Sequence, residues 1–442
     1  MLLELTISNL FSFKDPVTLS FVATKERQHE FHLVRYPLTA SRERRVVPVA
    51  VLFGGNASGK SNFFKSIAFA REKILRDARG RAAFKLAAEC EKKPSELSFH
   101  ILAGGTEYRY AFAVTDDAIA YEALFEVRRQ SEKRLFERAA GQASFFDAAL
   151  QDTAALQMID GSIVRRDQLF LNAFAMTKAF DHVPQLAAVF RWFSETLCLF
   201  TPDDRNLRKS LHGTPCLEVG RMMSRLDTGV SALREKEVPI DAIGVPPDIG
   251  NVLKNAAEGV LGIARTPGSL LPADYFCLAK DKAYQIIPEH RAQEGVPVEF
   301  SFAEESDGTR RLFGILPVFI GAAKSKKPKV FIFDEADRGI HPLLMEKLIA
   351  DYLELCGEGL QNQLLMSVHA SNLMTQDIFR RDEIYLFTRE PDGSSTVDRM
   401  SDFDIHKDGD LRRQYMKSMF TGTPELAQFN IYDLAADESW EG

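Results

Sequence analysis

Residues 46–61 read VVPVAVLFGGNASGKS, an apolar, β-branched run that passes directly into a glycine-rich loop. The apolar part, residues 46–53, is typical of a strand that is buried on both faces of a sheet. A helical pattern starts at Lys60 and continues to about residue 79. The order strand, glycine loop, helix predicts an α/β fold with a largely parallel sheet covered by helices.

The loop itself fits the spacing G-x-x-x-x-G-K-[ST] in the strand-to-helix context that this pattern requires. Glycines let successive backbone N–H groups surround an anion, and the following helix directs its positive end toward the same place. We therefore predict a site for ATP, in which Lys60 reaches the β and γ phosphates and Ser61 holds Mg²⁺. The predicted nucleotide-binding residues of this segment are Gly54, Gly55, Asn56, Ala57, Ser58, Gly59, Lys60, Ser61 and Asn62.

Two further apolar strands end in polar residues. The run KVFIF is followed by Asp334 and Glu335, and LLMSV is followed by His369. A pair of acids at the end of a buried strand is costly unless a cation or a reacting group compensates it. We expect Asp334 to support Mg²⁺, Glu335 to orient or deprotonate the attacking water, and His369 to hydrogen-bond the γ-phosphate.

Composition places the chain among ordinary globular proteins. It has 442 residues, 45% hydrophobic and 26% charged, and a formal net charge of -7. The N-terminal sequence has no signal-peptide pattern, and its longest apolar run is too short to cross a bilayer, so we expect a cytoplasmic protein without a membrane segment. The five cysteines are widely spaced and include no C-x-x-C pair. We therefore expect neither a disulfide framework nor a zinc site.

The chain divides into three predicted regions. Residues 1–144 contain the glycine loop and form the first half of an ATPase head. In this region ELSFHIL (96–102) and EYRYAFAV (107–114) are predicted to be paired strands joined through Gly104 and Gly105, and AIAYEALFEV (118–127) extends their sheet. Residues 145–279 show mostly helical periodicity and are interpreted as an inserted helical lobe. Residues 280–442 return to alternating strands and helices and form the second half of the head.

A polar stretch, EESDGT at residues 304–309, precedes an apolar helical pattern. This stretch and several others resemble ABC/SMC-like ATPases, and more closely the OLD-related AAA-type branch that includes the ATPases of PARIS anti-phage systems. The matching segments are ISNLFSF (7–13), EESDGT (304–309), FIFDEADRGIHP (331–342), SVH (367–369), RRDEIYLF (380–387), SDF (401–403) and FTGTP (420–424).

The resemblance implies an ABC-type P-loop NTPase head with a mixed sheet and an inserted, mostly helical lobe. It also implies Mg²⁺-dependent ATP hydrolysis by a homodimer or higher homo-oligomer. In such pairs Ser306 and Gly308 would complete the ATP site of the partner copy, whereas an ordinary serine cap of a surface helix is the alternative. His341 stands where transporters have aspartate, and no glutamine matches the family's Q-loop.

For function, the resemblance implies a switch that answers a phage-encoded trigger and controls a separate effector protein, a nuclease toxin. The acidic residues Asp402, Asp404, Asp408 and Asp410 lack the strand context of a nuclease site and are interpreted as a solvated loop. Short basic clusters keep open the alternative of an SMC/RecF-like DNA repair ATPase. A third possibility is a scaffold that binds ATP and hydrolyses it very slowly.

Overall fold

The computed structural model describes residues 1–39, 42–129, 131–200, 214–243, 259–263, 274–279, 282–325, 327–405 and 409–423. The strands are β1 Leu2–Ser8, β2 Val17–Ser20, β3 Val34–Thr39, β4 Arg42–Val46, β5 Val49–Gly54, β6 Ser95–Ala103, β7 Thr106–Val114, β8 Ile119–Val127, β9 Glu132–Ala139, β10 Phe145–Phe146, β11 Leu197–Phe200, β12 Ala232–Val238, β13 Gly259–Ile263, β14 Asp274–Ala279, β15 Lys282–Arg291, β16 Pro297–Glu299, β17 Val330–Phe333, β18 Gln363–Ser367, β19 Ile384–Arg389 and β20 Ser395–Arg399. The helices are α1 Lys60–Arg76, α2 Ala88–Lys92, α3 Thr153–Ser162, α4 Phe170–Ala175, α5 Pro184–Arg191, α6 Thr214–Met223, α7 Asp307–Lys324, α8 Pro342–Gly357 and α9 Leu411–Met416.

A six-stranded sheet forms the centre of the molecule, in the order β11-β17-β18-β5-β19-β20. All neighbours are parallel except β20, which runs antiparallel to β19. Alternate residues of β5 enter two different cores: Ala50 and Leu52 face one, and Val51 and Phe53 face the other. Burial on both faces explains why this segment is almost continuously apolar.

Two details of the segment that precedes the glycine loop differ from the sequence prediction. The apolar run at residues 46–53 is not one strand, because β4 ends at Val46 and β5 starts at Val49. Pro48, which has no N–H to donate, lies in the break. Helix α1 ends at Arg76 rather than near residue 79, since Asp77 adopts a left-handed conformation that closes the helix.

A seven-stranded antiparallel sheet packs beside the central sheet, in the order β10-β9-β8-β7-β6-β1-β2. The predicted pairing of β6, β7 and β8 is confirmed, and Gly104 and Gly105 join β6 to β7 with φ of 57° and 84°. Positive φ at both central residues is what a tight two-residue hairpin turn requires. The first core lies between this sheet and helix α1.

In the region predicted as a mostly helical lobe, residues 145–279, the described residues form strands as well as helices. Helices α3, α4 and α5 are present, but they pack into the first core instead of forming a separate body. Strand β11 joins the central sheet beside β17, with Leu197 opposite Val330. A four-residue strand is too short for its periodicity to be separated from that of the preceding helix, so its place depends on the sheet that receives it.

A third sheet crosses the predicted boundary at residue 280. Strands β12, β15, β14 and β13 are neighbours in that order, with β16 paired to β15. The hairpin of β14 and β15 places Ala279 opposite Lys282, so the boundary falls inside one supersecondary unit. The gaps in the described chain at 201–213, 244–258 and 264–273 all fall in the predicted lobe, and the prediction there lies outside the described residues.

The α/β architecture with a mixed central sheet, by contrast, is confirmed. Within the described residues no helix is both long and apolar enough to span a membrane.

Candidate functional site

The glycine loop, residues 54–59, connects β5 to α1 and has the backbone conformation that its glycines allow. Gly54 and Gly59 have φ of 153° and 106°. A Cβ on Gly54 would lie 2.6 Å from the Ser58 hydroxyl, and one on Gly59 would lie 2.8 Å from the Cβ of Ser395. Glycine is therefore required at both ends of the loop for steric reasons.

Lys60, the first residue of α1, folds back beneath this loop. Its ammonium donates to the carbonyl oxygens of Gly54 at 2.6 Å and of Gly55 at 3.1 Å, and the residue is only 6% exposed. Burial lowers the pKa of the Lys60 ammonium, while three carboxylates oppose that shift, namely Asp334, Asp337 and Glu335. The structure thus brings the predicted lysine and the predicted acids into one electrostatic environment.

The acids follow β17 and are organised by a residue that the sequence analysis missed. Ser367, at the end of β18, donates its hydroxyl to Asp334 Oδ1 at 2.7 Å and accepts the Glu335 N–H at 2.7 Å. Glu335 has φ of 52°, a left-handed conformation that is unusual for glutamate. A small polar residue at the end of the neighbouring strand was the available signal, but only the parallel pairing of β17 with β18 reveals its partners.

The Glu335 carboxylate lies among basic groups. Its Oε2 is 3.0 Å from Arg338 Nη1, and its Oε1 is 3.8 Å from His369 Nε2. Arg311, on the second turn of α7, donates to the Glu335 carbonyl at 3.0 Å. The carboxyl ends of β5, β17 and β18 therefore gather Lys60 together with Asp334, Glu335 and His369.

The start of α7 contacts the loop that follows Glu335. Ser306 is the N-cap of α7, and its hydroxyl accepts the Thr309 N–H at 3.1 Å. A Cβ on Gly308 would lie 2.6 Å from the carbonyl oxygen of Gly339. Ser306 thus has the helix-capping geometry that the sequence predicted, and Gly308 permits close backbone contact with the acidic loop.

The other predicted nucleotide-binding residues occupy the loop and the first turn of α1. Asn56 and Ala57 are exposed, and Ser61 and Asn62 are half-buried. The Ser58 hydroxyl is buried and has no hydrogen-bond partner among the described residues. An unsatisfied buried hydroxyl is uncommon and marks a place where a polar ligand atom would be stabilised.

Two distant segments support the loop. Ser12, in the early ISNLFSF segment, accepts the Ser395 N–H through its carbonyl at 2.7 Å, and a Cβ on Gly59 would lie 3.0 Å from the Ser12 hydroxyl. Near the end of the described chain, the carbonyl of Gly422 accepts the Gly55 N–H at 3.0 Å. The sequence analysis had assigned neither segment a place in the site.

These residues fit a triphosphate and its metal ion. The buried Ser58 hydroxyl has no partner among the described residues, a buried ammonium lies beneath the loop, and the Asp334 carboxylate lies near that ammonium. Carboxylate and hydroxyl oxygens are the ligands that Mg²⁺ prefers. Lys60 is the candidate phosphate-binding cation of this arrangement, and Ser61 and Asp334 are the candidate metal ligands.

The fold and the glycine loop together define a P-loop ATPase domain of the α/β class. The sequence matches the family described as "AAA domain, putative AbiEii toxin, Type IV TA system" over residues 49–157 and 159–375. The chain belongs to this AAA-domain family. No curated protein matched the chain.

Among solved structures, the chain is similar to heads of SMC proteins. The SMC head domain from Thermotoga maritima is 11% identical, with 90% of this chain and 98% of that chain covered and a TM-score of 0.38. An SMC head bound to the C-terminal winged-helix domain of ScpA is 12% identical, with 90% and 96% covered and a TM-score of 0.40. A Pyrococcus furiosus SMC head with an extended coiled coil, bound to the C-terminal domain of ScpA, is 13% identical, with 90% and 95% covered and a TM-score of 0.36.

Proposed function

We propose that this protein is a Mg²⁺-dependent ATPase whose hydrolytic form is a pair of chains. The observation that supports it best is the convergence of Lys60, Asp334 and Glu335 at the carboxyl ends of β5 and β17, the two parallel strands that flank β18. Open parallel sheets bind ligands at this edge. The family to which the chain belongs is one of AAA domains.

Each residue of the site has a proposed role. Lys60 and the loop N–H groups bind the β and γ phosphates, while Ser61 and Asp334 hold Mg²⁺, which neutralises charge on the phosphates when bound. Glu335 orients and deprotonates the attacking water, and His369 donates a hydrogen bond to the γ-phosphate. The capped start of α7, with Ser306 and Gly308, offers its N–H groups to the ATP of the partner copy.

The paired form is proposed because EESDGT (304–309) resembles the motif that completes a partner's ATP site in ABC/SMC-like ATPases. The start of α7, which carries this motif, lies against the acidic loop through Gly308 and Gly339. A partner's nucleotide that contacts Ser306 would be sensed at Glu335 of the same chain through this contact. ATP binding would then join two copies, and ATP hydrolysis would change the conformation of both. A protein with two such states acts as a switch.

We further propose that this switch controls a separate effector, a nuclease toxin, in defence against phage, and that a phage product triggers it. The description of the family as a toxin of a toxin–antitoxin system supports a role of this class. The DNA repair alternative rests on basic clusters, and several of their members make intramolecular contacts instead: Arg44 with Glu107, Arg81 with Asp116 and Lys324 with Glu218.

The test of the ATPase uses purified chain with Mg²⁺ and ATP. Lys60→Ala is expected to lose ATP binding, whereas Glu335→Gln retains binding and lowers kcat by about 10²-fold or more. In light scattering, Glu335→Gln with ATP is expected to form a stable dimer that Lys60→Ala does not form. Hydrolysis that is unchanged in Glu335→Gln would contradict the assigned chemistry.

The effector is tested separately by expressing the chain with the products of its neighbouring genes. We expect one of them to co-elute and to become toxic when ATP hydrolysis begins. If neither co-elution nor toxicity is observed, the effector proposal is refuted. The proposed ATPase activity is not affected by that result.

A further inference from the structure

The loop after β17 carries a third carboxylate, Asp337, which the functional assignment above does not use. The residue is 8% exposed. Its Oδ2 accepts two backbone N–H groups from the loop after β18, that of His369 at 2.8 Å and that of Ala370 at 2.7 Å. One oxygen atom therefore fastens the loop that carries Glu335 to the loop that carries His369.

These two hydrogen bonds fix the position of the backbone from which the His369 side chain extends. The imidazole is half-exposed, and its Nε2 lies 3.8 Å from Glu335 Oε1. A half-exposed side chain gains little orientation from packing, so its reach depends on the position of its own backbone. Holding the N–H groups of residues 369 and 370 in place therefore holds the His369 backbone at a set position relative to Glu335.

The two backbone contacts of Asp337 do not by themselves require a negative charge. Its Oδ1 is buried and makes no hydrogen bond within the described part of the chain, a costly state for a carboxylate oxygen. An asparagine could accept the same two N–H groups without a buried charge.

We propose that Asp337 is a positioning residue, which holds the backbone of residues 369–370 so that His369 stays beside Glu335. The proposal rests on the function proposed for Glu335 and His369. Asp337 itself need not touch the nucleotide. Two kinds of measurement separate its role from the ATPase assignment.

Hydrogen exchange tests the contact without reference to activity. Asp337→Ala removes the acceptor, so the amides of residues 369 and 370 should exchange at least about tenfold faster, while β5 and β18 keep their protection. Asp337→Asn should retain most of the protection. The matched control is Asp351→Ala on α8, whose carboxylate is exposed and pairs with Lys347, and it should change neither amide. Unchanged exchange in Asp337→Ala would overturn the proposal.

Steady-state kinetics test the consequence for His369. Asp337→Ala and His369→Ala should each lower kcat by about 10- to 100-fold and change KM by less than about threefold. Because one residue acts through the other, the double variant should be no slower than His369→Ala alone. If the fall in kcat of the double variant equals the product of the two single falls, Asp337 does not act through His369. A wild-type chain that does not hydrolyse ATP would refute the proposed function, and the exchange result would still decide whether Asp337 holds the loop.

Discussion

Two carboxylates of the seven-stranded sheet show how neighbours decide the behaviour of a buried acid. Burial raises the pKa of Glu122, although Arg138 and the N–H groups of Leu171 and Phe170 oppose the shift. Glu107 is also subject to burial, but hydrogen bonds from His100 and Arg44 outweigh it and lower its pKa to about 2. Residue type alone could not distinguish the two glutamates.

The lowered pKa of Glu107 leads to a prediction about acid stability. An acid whose folded pKa lies below its unfolded value of 4.5 stabilises the fold above that value and loses the contribution as pH falls toward about 2. Glu107→Gln should therefore lower the free energy of unfolding most at pH 7, and the difference from wild type should shrink between pH 4.5 and 2. Urea titrations at several pH values measure this difference.

The groups that face Glu107 come from three strands: Arg44 of β4, His100 of β6 and, through His100, Glu4 of β1. Glu96→Gln, at an exposed position of β6, is the control and should show little dependence on pH. If Glu107→Gln lowers the free energy of unfolding by the same amount from pH 7 to pH 2, the charge of Glu107 does not contribute to stability.

At the scale of elements, α7 depends on one close backbone contact. The start of this helix approaches the acidic loop where Gly308 meets the Gly339 carbonyl, and Arg311 donates to the carbonyls of Asp334 and Glu335. The helix is therefore attached to the acidic loop through the Gly308–Gly339 backbone contact and through the Arg311 guanidinium, and both contacts reach backbone atoms of the loop. A shift of α7 would move the backbone of Glu335.

Gly308→Ala is expected to push α7 away from this loop. Its Cβ would lie 2.6 Å from a backbone oxygen, which cannot rotate away, so we expect a cost of about 1–3 kcal/mol and a fall in kcat. Urea denaturation and ATP hydrolysis measure the two effects.

Gly321→Ala is the matched control in the same helix. Apart from its chain neighbours and the backbone of its own helix, no atom of the described residues lies within 4 Å of its added Cβ. Alanine favours a helix by up to about 1 kcal/mol over glycine. It should leave kcat unchanged and stabilise the fold slightly. Equal kinetic effects of the two substitutions would show that the Gly308 contact is not specific.

At the scale of the whole molecule, the proposed site needs two chains. Lys60 lies beneath the glycine loop and Ser306 caps α7, and each is proposed to contact a different ATP of the pair. This arrangement allows a test by complementation, because one defective chain can supply what the other lacks.

Lys60→Ala and Ser306→Arg should each be inactive alone. Mixed in equal amounts, they form dimers in which one composite site has both an intact Lys60 and an intact Ser306. We expect ATP hydrolysis to recover to at most about half of the wild-type rate, since each mixed dimer has one intact site of two. No recovery, in a mixture shown by light scattering to contain dimers, would contradict a site shared between chains.

The sequence by itself determined the features that depend on chain neighbours. The glycine loop, the helix that starts at Lys60, the hairpin at Gly104 and Gly105 and the capping of α7 by Ser306 all follow from local backbone conformation and hydrogen bonding. These rules act over a few residues, so a single chain reveals them. The same is true of the apolar strands that end at Asp334 and His369.

Only the tertiary structure decided which distant residues meet. Ser367 and Asp337 act on partners more than thirty positions away, Gly422 reaches the glycine loop from near the end of the described chain, and β11 enters the central sheet. Strands β12, β13 and β14 of the third sheet were hidden for the same reason. Strand pairing and buried hydrogen bonds depend on what the folded chain places opposite a residue, and no local pattern contains that information.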